Sequence, residues 1–83
     1  MVKSRSFIAT PPGATIKEQL LDRGLSQKEF AVRMGMSEKH ISKLINGEVQ
    51  LTPDVAVRLE MVLGVSAKFW NKLEATYREK LVK

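Results

Sequence analysis

The sequence contains no cysteine and a single histidine, His40. Disulfides, thiol catalysis and zinc fingers are thereby excluded, and too few soft ligands remain for a zinc site made by the protein alone. No apolar run approaches the roughly 20 residues of a membrane span. The first 12 residues hold no apolar stretch long enough for a signal peptide, so a cytoplasmic protein without a membrane partner is expected. Catalytic signatures are missing as well. There is no His-Glu-x-x-His pair, no glycine-rich phosphate loop, and no serine with a base in reach, because His40 and Ser42 point to different sides of one short helix. Catalysis is not expected, and no cofactor or metal is implied. Strands are also missing from the pattern, since no stretch alternates with the two-residue period of a half-buried strand.

What is present fits one small folded domain. The chain has 83 residues, 43% hydrophobic and 28% charged, the balance of a globule and not of a disordered tail. A domain of this size buries only about 60% of its unfolded surface, so its core is thin and a second copy or a bound ligand adds useful stability. The formal charge is +5 with a pI near 9.8, which favours polyanionic partners without naming one. No block of like charge exists: residues 1–14, 15–50 and 51–83 carry +2, +1 and +2. Any nucleic acid is therefore met by groups placed on a folded face and not by a basic tail.

Gly and Pro divide the chain. Residues 1–12 lack helical periodicity and read as an N-terminal arm, with Lys3 and Arg5 frayed, closed by Pro11-Pro12-Gly13. Residues 13–83 then form the domain, and their start and stop signals delimit five helices. The first runs from about Ala14 to Arg23, with Ile16, Leu20 and Leu21 on one face and Gly24 at its end. Ser26-Gln27-Lys28-Glu29 is a capping box that opens the second at Gln27, and Gly35 ends it. Ser37 caps the third, from Glu38 to about Asn46, terminated by Asn46-Gly47. Thr52 and Pro53 open the fourth, which carries Val55, Ala56, Leu59, Val62 and Leu63 and stops at Gly64. Ser66 caps the fifth, with Phe69, Trp70, Leu73 and Tyr77. No Gly, Pro or Asn ends it before Lys83, which leaves open that the chain continues into something longer. The fold class expected is all-α.

Two short helices joined by a tight glycine turn have the geometry of a helix-turn-helix, whose second helix lies in the major groove of DNA. The segment from Gln27 to Asn46 meets its requirements. Ala31 supplies the small residue at the crossing, and Gly35 is free to adopt positive φ. Phe30, Met34, Met36, Ile41 and Leu44 stand where apolar anchors must hold the reading helix down.

The run Gln27-Lys-Glu-Phe-Ala-Val-Arg-Met-Gly-Met-Ser-Glu-Lys-His-Ile-Ser-Lys-Leu-Ile-Asn46-Gly47 resembles the helix-turn-helix of the phage-repressor-like (XRE) regulators. Within that group, Pro12-Gly13, Leu25-Ser26-Gln27, Leu51-Thr52-Pro53-Asp54 and Phe69-Trp70-x-x-Leu73-x-x-x-Tyr77 resemble the HigA/VapI-type antitoxins of toxin–antitoxin modules. The resemblance implies a five-helix, lambda-repressor-like domain that forms a homodimer. It also implies a nucleoid-associated bacterial repressor that binds an operator in double-stranded DNA, in the promoter of its own operon, with a toxin as second partner. Gln27 matches the family's phosphate-clamping glutamine. Glu38, Lys39, His40, Ser42 and Lys43 match positions from which members touch base edges. Lys39 or Lys43 can donate to guanine O6 and N7, Glu38 can accept from cytosine N4, and Ser42 suits either base. Members often carry Gln where Glu38 stands, and an acid so near phosphates lowers affinity unless a base amine answers it. Asn46 matches a helix-ending residue that touches phosphate, and Ser37, foremost a cap, lies near a phosphate position.

The other readings are blander. Lys39, Lys43 and His40 also read as solvated surface groups. In the last helix Phe69 and Leu73 read as core, yet the helix is apolar over a wide arc, so Trp70, Leu73 and Tyr77 are candidates for a symmetric dimer contact. Two further functions compete with repression: the DNA-reading part of a longer protein bearing a zinc-peptidase-like domain, and a toxin-binding interaction module with a decayed DNA face. DNA reading requires Lys39, Ser42 and Lys43 to face outward.

Overall fold

The computed structural model describes residues 11–82, and the expected arm around Lys3 and Arg5 lies outside them. Five helices follow one another: α1 Pro12–Arg23, α2 Gln27–Met34, α3 Glu38–Ile45, α4 Pro53–Leu63 and α5 Ala67–Leu81. Their boundaries follow local chemistry. Ser26, Ser37, Thr52 and Ser66 each accept a hydrogen bond from the backbone N–H three residues on, satisfying a donor with no partner inside its helix. Three of the five helices end on a left-handed glycine: Gly24, Gly35 and Gly64.

The helix α1 begins two residues earlier than expected. Proline is compatible with the first helical position, where its missing N–H is no loss, and Pro12 and Gly13 are buried parts of the helix rather than the end of an arm. Tight packing explains why Gly13 is a glycine. A Cβ there would lie 2.5 Å from the carbonyl carbon and 2.6 Å from the Cα of Ile45, and closer still to its oxygen. The start of α1 thus rests directly on the backbone at the end of α3.

The core gathers Ile16 and Leu20 from α1, Phe30, Ala31 and Met34 from α2, Ile41, Leu44 and Ile45 from α3, Leu51 from the loop, Val55, Ala56, Leu59 and Leu63 from α4, and Trp70 from α5. In it α3 packs on α1 and α2, α4 packs on α2 and α5, and α1 packs on α5. Leu21 departs from expectation. It sits about 100° round the helix from Leu20, which carries it off the inner face and leaves it 73% exposed.

The fifth helix is corrected in the same way. Trp70, taken above as an outward dimer contact, is wholly buried, and its Nε1–H donates to the carbonyl of Val65 at 3.1 Å. Phe69, read as core, is 43% exposed and meets the edge of Trp70 with ring centroids 5.3 Å apart. The two side chains leave α5 about 100° apart, and the inward direction falls to Trp70, whose indole finds a carbonyl partner there that a phenyl ring cannot use. Leu73 packs against the core from a half-buried position. Tyr77, also half-buried, sets its hydroxyl beside Gly47 in the loop after α3.

Candidate nucleic-acid interface

The site is built from α2, a tight turn and α3. At the turn Gly35 has φ 69° and ψ 34°, and its N–H reaches the carbonyls of Ala31 and Val32. The N–H of Met36 donates to Ala31 at 3.0 Å. These bonds tie off part of the C-terminus of α2 within two residues, so α3 starts almost at once in a new direction. Ala31, expected at the crossing, is buried in the core at 3% exposure. Phe30, Met34, Ile41 and Leu44 are buried as anchors, and Met36 packs half-buried against them.

The N-terminus of α2 is held by a reciprocal pair. Ser26 N–H donates to Glu29 Oε1 at 3.0 Å, and Glu29 N–H donates to Ser26 Oγ at 3.1 Å. The backbone bond from Ser26, its hydroxyl bond and the nearby Arg33 charge together hold the Glu29 carboxyl below its ordinary pKa of 4.5, against a small opposing desolvation. Gln27 follows at the first helical position, half-buried. Lys28 beside it is exposed. The sequence reading did not single out this lysine, because an exposed cation in a first turn carries no signal of its own.

In α3, Ser37 Oγ accepts the N–H of His40 at 3.1 Å, so its expected capping role is met. Ile41, Leu44 and Ile45 form the buried side. Glu38, Lys39, Lys43 and Asn46 lie on the exposed side, with His40 and Ser42 half-buried at its margins. Among the described residues, ion pairs join Arg58 to Asp54 and Arg78 to Glu74, and neither involves α3. The polar groups of α3 are therefore held on a rigid base with their charges uncommitted. Asn46 is the C-cap residue of α3 rather than its last helical residue. No cluster of His, Cys, Asp or Glu able to hold a metal occurs among the described residues, and no helix there is long and apolar enough to cross a membrane.

Two contacts of the site had no sequence signal. One is the seat of Gly13 on Ile45, distant in the chain. The other is made by Arg58 of α4, which donates from Nη1 to the carbonyl of Met34 at 2.9 Å, at the turn itself.

Comparison with known proteins agrees with this geometry. A helix-turn-helix family model matches residues 16–70, which includes both helices and the turn. An uncharacterised HTH-type transcriptional regulator of Escherichia coli, YddM, is 36% identical over 63 residues, a match covering 76% of this chain and 67% of that protein. Antitoxin HigA-1 of Vibrio cholerae is 36% identical over 63 residues, covering 75% of this chain and 59% of the antitoxin's own length. Among solved structures, a HigA-family addiction module antidote protein from Coxiella burnetii superposes with a TM-score of 0.84 at 25% identity, over 89% of this chain and 82% of that one.

Proposed function

Because this chain belongs to the helix-turn-helix family of XRE-like regulators that includes the HigA-type antitoxins, we propose that it is a sequence-specific DNA-binding repressor. In this reading it is the autoregulating antitoxin of a HigBA-like toxin–antitoxin module. The observation that carries the reading is α3 itself: an apolar side locked onto α1 and α2 beneath an exposed row of Glu38, Lys39, Lys43 and Asn46.

The α3 helix enters the major groove by its N-terminal half. Lys39 and Lys43 donate to guanine edges, Glu38 accepts from cytosine, and Ser42 and His40 supply contacts at the margin. Gln27, Ser37 and Asn46 meet phosphates and set the register without reading sequence. Two copies are needed to present two reading helices about one DNA turn, roughly 34 Å, apart. The arc of α5 that carries exposed Phe69 and half-buried Leu73 and Tyr77 suits that role, with Trp70 left in the core. The toxin is a second partner, proposed from the likeness to HigA-type proteins.

An anisotropy titration against the DNA upstream of the gene, beside random duplex at the same salt, tests the proposal. Specific binding on the order of a thousandfold or more tighter than random is expected. Equal affinity for both duplexes would reject it.

A further inference from the structure

The guanidinium of Arg58 spans two elements. Its Nε donates to Asp54 Oδ2 at 3.2 Å within α4, and its Nη1 donates to the carbonyl of Met34 at 2.9 Å, the last residue of α2. The turn amides of Gly35 and Met36 serve Ala31 and Val32 but not Met34, so a cation from another helix completes the cap, where the helix dipole also favours positive charge. Gly35 fits this arrangement closely: a Cβ there would come within 3.2 Å of Arg58 Nη1. The helix-turn-helix is gripped by α4 chiefly through α2, and Arg58 is a polar link in that grip at the point where the chain redirects into α3.

We propose that Arg58, aimed by Asp54, is a positioning residue for DNA reading: it fixes the turn and thereby the pitch of α3 against α2. The inference rests on the DNA-reading function proposed above. The stability of the ion pair alone does not account for the arrangement. The side chains of Asp54 and Arg58 are 76% and 44% exposed, and such i,i+4 pairs add little to folding. What the pair supplies is direction. A planar fork held at Nε delivers Nη1 at one angle, and a flexible ammonium on a lysine cannot reproduce both contacts.

The test compares wild type with Arg58→Gln, Arg58→Lys and Asp54→Asn. It measures affinity for the upstream duplex and for random duplex over a salt series, together with amide hydrogen exchange at Gly35 and Met36. In Arg58→Gln the ratio of specific to random affinity is expected to fall roughly tenfold. The salt slope should stay unchanged, and exchange at Gly35 and Met36 should quicken relative to Trp70. Arg58→Lys keeps the charge near the α2 terminus and is expected to melt near wild type, yet to lose the ratio as well. If Arg58→Gln does not fold, Arg58→Lys and Asp54→Asn carry the same readouts. A folded variant that keeps the wild-type ratio overturns the proposal. So does a salt slope shallower by about one, which would make Arg58 a phosphate ligand instead. Wild-type protein with no preference for its upstream DNA would remove the repressor reading, and turn exchange would then decide the role of Arg58 in holding the turn by itself.

Discussion

Replacing Gly13 with alanine tests how closely the reading helix is held. The added Cβ meets backbone and not a side chain: the carbonyl carbon of Ile45 at 2.5 Å, its Cα at 2.6 Å and its oxygen nearer still. No rotamer change relieves that overlap, so α1 and the end of α3 must separate. Overpacking of a core costs about 1–3 kcal/mol, and a clash with rigid backbone belongs at the upper end. Alanine in a helix gives back at most about 1 kcal/mol relative to glycine. The net loss is about 2 kcal/mol, which lowers the melting temperature by roughly 8–16 °C in a domain of this length. Gly24→Ala provides the control. Nothing lies within 4 Å of its added Cβ, and its φ of 65° alone carries the penalty, about 1–2 kcal/mol. Thermal and urea unfolding of both variants followed by circular dichroism measures the two costs. Equal stability of Gly13→Ala and wild type, or a gain, would refute the close approach of α1 to α3.

Other expectations concern single residues. Trp70→Ala removes a fully buried indole bonded to Val65 and should destabilise the fold by about 3–5 kcal/mol; a folded variant that shifts only from dimer to monomer in sedimentation would return Trp70 to an interface. The lowered Glu29 pKa means that its contribution is present above the unfolded-state value and fades as pH falls through the lower folded-state value. Wild type should therefore lose its advantage over Glu29→Gln in melts as the pH falls below the ordinary carboxylate range, and an advantage that grew on acidification would reverse the sign. Lys43→Ala should weaken DNA binding, uniformly and with a shallower salt slope if the lysine meets phosphate, or at particular base pairs if it reads an edge; unchanged titrations would remove it from the interface. Ala31→Leu should cost about 1–3 kcal/mol by overfilling the α2–α3 crossing, and an unchanged melt would place that crossing elsewhere.

Much of the site was legible because helix-turn-helix chemistry is local. Ser26 with Glu29, Ser37 with the amide of His40, and Gly35 at positive φ each act within a few residues, so spacing alone located α2, the turn and α3. The outward row on α3 followed from its apolar side, since Ile41, Leu44 and Ile45 leave only one direction for Lys39 and Lys43. The ends of the domain were less legible. Pro12 and Gly13 read as an arm or entry turn ahead of the first helix because proline and glycine usually interrupt one, and it is their packing, Gly13 against Ile45, that shows them inside α1.

From sequence alone came the helices α1 to α5, the caps Ser26, Ser37, Thr52 and Ser66, and the helix-turn-helix pair α2 and α3, because each depends on hydrogen bonds and periodicity within one segment. Tertiary structure decided which of two adjacent aromatics, Phe69 or Trp70, is core, and that Leu21 faces solvent. It also placed Arg58 on the carbonyl of Met34 and Arg23 on that of Leu63, 24 and 40 residues away in the chain. Periodicity names an apolar arc wider than any one neighbour can cover, and a carbonyl at a helix end accepts a donor from any element brought near it; both choices belong to the packing of separate helices and leave no trace in either segment alone.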